Sequence, residues 1–306
     1  MTFIEWQQPP ITDTSRSGHY WRQAMHIIAR MVTHLLNILR GALIGSAELV
    51  PGVSGGTVAL IVGIYERALH NANLLLKAKF REVEWIFLLT IGVGMFAAVF
   101  GLSGILSSFV EGTPDVARAL FFGMVAVSII VPLMMIDEDL SKKKGPAIIT
   151  FLIAAGLVAF VTGFTSEPNR DPSLIAVFFA AAIAVCALVL PGVSGSLILL
   201  TLGLYNFVIG SVSDRDLTVL AVFAAGALTG LVAFVKVINY LLDQHRTLTL
   251  VAMAGLMVGS LRAIWPWQGD GDANFLTLIL MMLLGAVIVA AFVIADRTQA
   301  KKKAQV

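Results

Sequence analysis

Long apolar runs separated by short polar segments dominate this sequence. A membrane-spanning helix needs about 20 consecutive apolar residues, and six stretches meet that requirement. Because only helices or closed barrels satisfy all their backbone hydrogen bonds in lipid, we predict an all-α polytopic membrane protein. The predicted spans are residues 85–106, 116–136, 146–164, 217–242, 248–265 and 275–295.

Two further apolar regions, residues 41–65 and 174–209, are interrupted by almost the same motif. The first contains PGVSGG at 51–56, and the second contains PGVSGS at 191–196. Proline ends a helix and removes a backbone donor, whereas glycine adopts dihedral angles that other residues avoid. Either half of the first region is too short to cross a hydrocarbon core of about 30 Å. We therefore predict two re-entrant broken-helix hairpins whose tips reach the middle of the membrane, with a full crossing as the alternative, above all for the longer second region.

The repeated motif indicates an internal duplication. One hairpin plus three spans is an odd number of crossings, so the second half would enter the membrane in the opposite orientation to the first. Such inverted repeats are a recurrent architecture of transporters. The predicted organisation is an N-terminal segment at 1–40, a first repeat at 41–164, a second repeat at 174–295 and a basic tail at 296–306.

Residues 21–39 combine a polar face with an apolar face at helical spacing. Arg30 would be costly at the centre of a bilayer, so we expect an amphipathic helix that lies in the membrane interface. The polar N-terminal residues do not resemble a removable signal peptide.

Charges in the loops predict the orientation. Alternate loops are rich in either basic or acidic residues, and basic loops remain in the cytoplasm. This rule places both termini in the cytoplasm. The basic segments are 67–81, 142–144 and 297–303.

Composition supports the same class and excludes others. Hydrophobic residues make up 58% of the chain and charged residues 13%, with a mean hydropathy of +0.89. A net charge of +2 does not suggest a nucleic-acid partner, and the single cysteine, Cys186, excludes an intramolecular disulfide. Because the sequence contains no metal-binding or nucleotide-binding motif, we expect no metal and no cofactor.

The broken regions carry the candidate chemistry. Backbone N–H groups at the start of a helix have no partner within that helix, and they favour an anion. Nearby hydroxyl groups would add donors, and glycines would let a phosphate approach the backbone. Alternatively, the serines cap their own helices and the glycines only permit tight packing. The candidate phosphate-binding residues are Ser54, Gly55, Gly56, Thr57, Ser194, Gly195 and Ser196.

Four ionisable residues lie within apolar sequence. Arg262 is a candidate bidentate ligand for phosphate, and Glu48 is a candidate proton carrier or partner of an arginine. Arg118 and Lys236 are candidates for a second cation, although each could instead extend its charged end to the membrane surface.

The motif also fits the G-x-S-x-G pattern of serine hydrolases. A serine nucleophile needs an activating base, yet all five histidines fall in the terminal helix or in loops. Repetition of the motif also favours a symmetric binding site over a single nucleophile. We therefore assign no catalytic residue and predict a transporter, with a small-anion transporter and an intramembrane serine hydrolase as alternatives.

Three segments resemble the bacterial polyprenyl-phosphate transporter family over roughly residues 35–295. They are AELVPGVSGGT at 47–57, LPGVSGS at 190–196 and GLMVGSLR at 255–262, which precedes WPW at 265–267. The resemblance implies a flippase in the bacterial cytoplasmic (inner) membrane. It would return undecaprenyl phosphate from the outer to the inner leaflet for the synthesis of peptidoglycan and other envelope polymers.

The resemblance, and not the residue pattern, implies that the anion carries a lipid tail. Within the duplication, Leu188 stands where Glu48 stands in the first copy, so any role of that carboxylate would be asymmetric. The sequence leaves open whether the protein is a monomer or a homodimer, and whether protons, sodium ions or the lipid gradient drive transport.

Overall fold

A computed structural model describes residues 14–49, 54–136, 144–164, 167–267 and 274–304. All regular secondary structure in these ranges is helical. The helices are α1 (Thr14–Glu48), α2 (Gly55–Ile61), α3 (Tyr65–Leu76), α4 (Trp85–Gly112), α5 (Pro114–Ser128), α6 (Ile130–Met134), α7 (Lys144–Val161), α8 (Leu174–Val189), α9 (Gly195–Thr201), α10 (Tyr205–Ser213), α11 (Leu217–Gln244), α12 (Arg246–Ser260) and α13 (Phe275–Ala304).

Within the described ranges, five helical segments are long and apolar enough to cross a membrane. Their positions agree with five of the six predicted spans and show an all-α, multi-pass membrane protein. The candidate spans are Trp85–Gly112, Pro114–Met134, Lys144–Val161, Leu217–Gln244 and Phe275–Ile294.

The sixth predicted span, residues 248–265, is not helical over its full length in the structure. Helix α12 is shorter and ends at Ser260. The next residues form a tighter turn, in which Leu261 N bonds Val258 O at 3.2 Å and Arg262 N bonds Gly259 O at 3.3 Å. Bonds between residues three apart are common where an α-helix ends.

The N-terminal segment and the first limb of the first broken region form one continuous helix, α1. The boundary that the sequence suggested near residue 40 is absent from this helix. Gly41 is accommodated within α1 because this position packs directly against α4, where a Cβ would lie 2.9 Å from Ile91 Cα. Residues 1–13 lie outside the described residues.

The middle of α1 exposes several apolar side chains and buries one polar side chain, that of Asn37. Met31 is 65% exposed and Leu35 is 59% exposed, whereas Asn37 is only 2% exposed. This arrangement is the reverse of that in a water-soluble helix and suits a helix with lipid on its outer side.

The same helix pairings occur in both halves. Helix α1 packs along α4, and α8 packs along α11. Gly94 of α4 lies against Ile38, and Gly226 of α11 lies against Phe178. In each pair, successive glycine contacts advance in the same direction on both helices, so the two helices of each pair are parallel.

Two further pairings join one half to the other. Helix α5 packs along α13, and α12 packs along α7. Gly123 of α5 contacts the backbone of Met282, and Gly255 of α12 contacts the backbone of Phe151. The halves are therefore interlocked, with small residues allowing the helices to approach closely.

A matching turn follows the short helix in each broken region. Gly63 and Gly203 both have φ of 72°, a value that glycine adopts without strain. The next residue donates back in the same way, with Ile64 N to Ala59 O at 3.0 Å and Leu204 N to Leu199 O at 2.9 Å. In the second half, the helices on either side of this turn are bent by 114°. That bend fits either a re-entrant loop or a broken span.

Candidate functional site

The two broken regions contact each other directly. Ser54 Oγ donates a hydrogen bond of 3.0 Å to Leu190 O, and Gly192 N donates one of 2.7 Å to Thr57 Oγ1. Residues 50–53, which include the first part of the first motif, lie outside the described residues. The described part of the first motif and the complete second motif therefore meet at one place, which we call the tip contact.

Glycine permits this close approach. A Cβ at Gly56 would lie 2.8 Å from Val189 O and 3.1 Å from Leu188 O. At Gly192, φ is +87° and a Cβ would lie 2.6 Å from Met257 Cα. The glycines of the motif therefore permit tight packing, which is one of the alternatives considered from the sequence.

The side chains of Ser54 and Ser194 do not cap the helices that follow them. Ser54 and Ser194 both have extended backbone conformations, and neither side chain makes a capping hydrogen bond. Ser54 instead donates to the opposite region, while Ser194 Oγ and Ser196 Oγ share a hydrogen bond of 2.9 Å. Both Ser54 and Ser194 are buried, at 2% and 5% exposure. The capping alternative is wrong.

The starts of the two short helices differ. At the start of α2, Gly55 N donates to Glu48 Oε1 at 2.8 Å. At the start of α9, the equivalent position holds Leu188, and a Cβ at Gly195 would be 3.7 Å from Leu188 Cβ. The first helix start thus already binds a carboxylate of its own chain, in agreement with the preference of helix N-termini for negative charge.

Sequence reasoning selected Glu48 as ionisable, but it did not predict this contact. The available signal was a carboxylate in the residues before a helix start, where free backbone N–H groups donate hydrogen bonds to an anion.

Arg262, which follows α12 in the chain, packs against the C-terminal end of α7. Its Nη1 donates a hydrogen bond of 2.7 Å to Ala159 O, and its guanidinium lies against Gly163. Helix α12 connects this arginine to the tip contact, because Met257 on that helix packs against Gly192.

The two other candidate cations lie elsewhere. Arg118 Nη2 is 3.4 Å from Asp115 Oδ1, one turn away on α5. The rings of Phe122 and Trp265 meet edge to face at 5.4 Å, which links α5 to the segment that carries Arg262. Lys236 is exposed on α11, as expected for a lysine whose charged end reaches the membrane surface.

A buried polar group on α1 was not identified as a site from the sequence. Arg40 Nη1 donates to Asn37 Oδ1 at 3.3 Å, and Asn37 is 2% exposed. Asn37 lies within the predicted amphipathic segment 21–39, but the sequence did not single out Arg40, three residues further along the helix. Spacing of three on a helix was the available signal.

Comparison with known proteins supplies the family. The model of the VCA0040-like family, described as undecaprenyl phosphate translocase-like, matches residues 44–274. A protein of Vibrio cholerae serotype O1 named polyprenyl-phosphate transporter is 35% identical over 251 residues, covering 78% of this chain and 80% of that protein. A protein of Staphylococcus aureus with the same name is 28% identical over 270 residues, covering 83% of this chain and 94% of that protein.

No solved structure matches this chain. Both relatives are named as transporters, which favours the transporter prediction over a hydrolase that uses Ser54. The match over 231 consecutive positions confirms the resemblance seen in the three sequence segments. The chain belongs to the VCA0040-like, undecaprenyl phosphate translocase-like family.

Proposed function

We propose that this protein is a flippase for polyprenyl phosphate. In this proposal it returns undecaprenyl phosphate from the outer to the inner leaflet of the bacterial cytoplasmic membrane, where the lipid is used again for envelope synthesis. The names of both relatives support a non-enzymatic transporter of polyprenyl phosphate.

The tip contact is the observation that carries this proposal. Thr57 and Gly192 join two broken regions that are far apart in the sequence. Transporters with related halves commonly bind their substrate where broken helices meet near the middle of the membrane. A movement of one half relative to the other would then open this place to either side.

Matching helix pairs support an inverted repeat. Helices α4 and α11 occupy equivalent positions, each with a parallel partner, α1 or α8. The distribution of basic loops would start α4 on the cytoplasmic side and α11 on the outer side. Under that orientation the two halves have opposite directions, as alternating access through related halves requires.

The phosphate would bind at the two tips. Hydroxyl groups of Ser54, Thr57, Ser194 and Ser196 would donate to phosphate oxygens once the tips separate. Gly55, Gly56 and Gly195 have no side chain that would then keep the phosphate from the backbone. A movement of the halves, transmitted along α12, would bring the positive charge of Arg262 to the phosphate. The polyprenyl chain would remain in the lipid through a lateral opening.

Glu48 would compete with the substrate. Its carboxylate holds Gly55 N–H, so a phosphate that enters the first tip must displace it. We assign Glu48 the role of an internal anion that leaves when the substrate binds and returns when the substrate is released. Uptake of a proton by the displaced carboxylate of Glu48 would couple transport to pH. Arg118 and Lys236 would contribute only to the electrostatic potential around the site.

Binding to the purified protein in lipid nanodiscs tests the function. Undecaprenyl phosphate should raise the thermal unfolding temperature, whereas undecaprenol should not. Arg262→Ala should weaken binding of the phosphate, and Lys236→Ala serves as a control for loss of a membrane-facing cation. Equal protection by undecaprenol would overturn the phosphate site.

Transport into liposomes separates the remaining functions. Movement of fluorescent undecaprenyl phosphate between leaflets supports the proposal. Uptake of inorganic phosphate alone would indicate a small-anion transporter, and release of phosphate that is lost in Ser54→Ala would indicate a hydrolase. Cysteine labelling at Lys77 and Glu111, both exposed, should occur from opposite sides; labelling of both from one side contradicts the proposed topology.

A further inference from the structure

An apolar groove runs between α1, α4, α5 and α13. It consists of two adjoining cavities of about 390 Å³ and about 120 Å³. We call it the α1–α13 groove. The residues that line both cavities are Leu43, Ser46, Ile61, Val62 and Phe292.

The groove has two different ends. Arg40 and Leu36 line one end, and Phe121 and Met124 line the other. Because α1 runs parallel to α4, the Arg40 end lies nearer to the beginning of α4 at Trp85. With the orientation proposed above, the groove extends from the cytoplasmic leaflet towards the middle of the membrane.

The Arg40 end is suited to an anionic headgroup. Arg40 is half-buried, and the buried amide of Asn37 accepts a hydrogen bond from its guanidinium. The Arg40 guanidinium therefore lies at the edge of an otherwise largely apolar cavity. Arginine binds phosphate oxygens in a bidentate manner.

The groove also reaches the tip region. Val58 lines its deeper cavity and lies one helical turn beyond Ser54 in α2. Ile61 and Val62, at the end of the same helix, line both cavities. A lipid in the groove would therefore contact the helix whose start forms the first tip.

We propose that the α1–α13 groove is a release station for polyprenyl phosphate in the inner leaflet. The phosphate binds at Arg40, and the first isoprene units fill the apolar part of the groove. This inference rests on the proposed function and adds a second position for the lipid, distinct from the tip contact. The direction of the groove fits a lipid whose headgroup faces the cytoplasm and whose chain points inward.

Groove-filling and charge-removing variants test this station with undecaprenyl phosphate as the probe. Leu43 lines both cavities, so Leu43→Trp should weaken binding in nanodiscs about tenfold, the change that a few lost apolar contacts produce. Leu89→Trp is the matched control, because Leu89 is 63% exposed on α4. Arg40→Gln should weaken binding of the phosphate, whereas Arg30→Gln, at an exposed position of the same helix, should not.

A second measurement does not depend on tolerance of tryptophan. In a Cys186→Ser background, modification of Leu43→Cys by a small thiol reagent should be slowed by undecaprenyl phosphate and not by dioleoyl phosphatidic acid. Leu89→Cys should react at the same rate with either lipid. Equal protection of Leu43→Cys by phosphatidic acid would show a general lipid contact and overturn the proposal.

The results separate this inference from the proposed function. If wild-type protein binds undecaprenyl phosphate through Arg262, but Leu43→Trp and Arg40→Gln behave like their controls, the release station is wrong and the function stands. If wild-type protein does not distinguish undecaprenyl phosphate from undecaprenol, the proposed function fails together with the station.

Discussion

The two tips have similar backbone conformations at Ser54 and Ser194, but the surroundings of the first N–H groups of the following helices differ. Ser54 and Ser194 have similar extended dihedral angles, φ −106° and ψ 126° against φ −96° and ψ 129°. At the first tip, Glu48 accepts the N–H of Gly55. At the second, Leu188 replaces that carboxylate. A duplicated backbone can therefore carry unequal charge, and the first tip alone contains a built-in competitor for an anion.

The tips also differ in the space that they leave. Gly56 lies against the backbone around Val189, where a Cβ would be too close. Its equivalent in the second copy is Ser196, whose hydroxyl bonds Ser194. The first tip therefore inserts into the second region, while the second tip keeps room for a side chain.

Replacing Gly56 by serine, the residue at the equivalent position of the second copy, should have the largest effect on stability. Gly56→Ser should lower the free energy of unfolding by about 1–3 kcal/mol, because the new side chain overpacks a backbone contact. Thermal unfolding in detergent measures this change. Ser196→Ala is the control and should change stability much less. Wild-type stability in Gly56→Ser would show that the contact is not tight.

Loss of the hydroxyl across the tip contact should come next. Thr57→Val keeps the shape but leaves the buried Gly192 N–H without its acceptor, so the expected loss is about 1–3 kcal/mol, with values near the lower limit if water replaces the hydroxyl. Thr201→Val is the matched control, because Thr201 Oγ1 donates within its own helix, to Leu197 O. Equal losses in both variants would contradict a special role for Thr57.

Changing the carboxylate should have a smaller effect on affinity. Glu48→Gln removes a negative charge at a helix start, an interaction of about 0.3–1 kcal/mol, and should strengthen binding of undecaprenyl phosphate by about two- to fivefold. Leu188→Glu should weaken binding, because it places a competitor at the second tip. Titration of nanodisc-bound protein measures both affinities. A change in the same direction in both variants would refute competition.

The smallest effect concerns how α3 is joined to α4. In the first half, Arg67 Nε donates to Glu84 Oε1 at 3.0 Å, whereas Asp216 in the second half caps α11 by accepting from Thr218 N at 3.0 Å. The side-chain hydrogen bond from Arg67 lowers the pKa of Glu84. Since the folded-state pKa is the lower one, the pair stabilises the protein above the ordinary pKa of glutamate.

That stabilisation should be lost as the pH falls through the lowered pKa of Glu84. Both side chains are about two-fifths exposed, at 41% and 42%, so solvent screening keeps the effect small. The difference in unfolding temperature between wild type and Arg67→Gln should be present at pH 7 and should disappear at strongly acidic pH. A difference that is independent of pH would assign the contact to packing of Arg67 over the Phe87 ring.

Local patterns predicted most of the helices. The apolar runs around Trp85, Leu217 and Phe275 are helices long and apolar enough to cross a membrane, and length and composition are what identify such helices in a sequence. The repeated motif correctly marked both breaks. The end of α12 at Ser260 and the continuity of α1 through Gly41 were not predicted, because packing between helices decided them.

The contacts that the candidate site residues make were not predicted. The sequence identified Ser54, Thr57 and Ser194 as special, but not their partners. Contacts of Ser54 with Leu190 and of Arg262 with Ala159 join residues that are distant in the chain. Such pairs leave no periodic signal in a single sequence.

By itself, the sequence determined the membrane class and the repeated motif that interrupts the helices. In lipid, the backbone must satisfy its own hydrogen bonds, so apolar runs become helices and Pro-Gly motifs interrupt them. Only the tertiary structure decided that the two breaks touch, that Glu48 occupies the start of α2 and that Arg40 faces an apolar groove. These features depend on which distant segments pack together, and that packing reflects shape complementarity across the whole molecule.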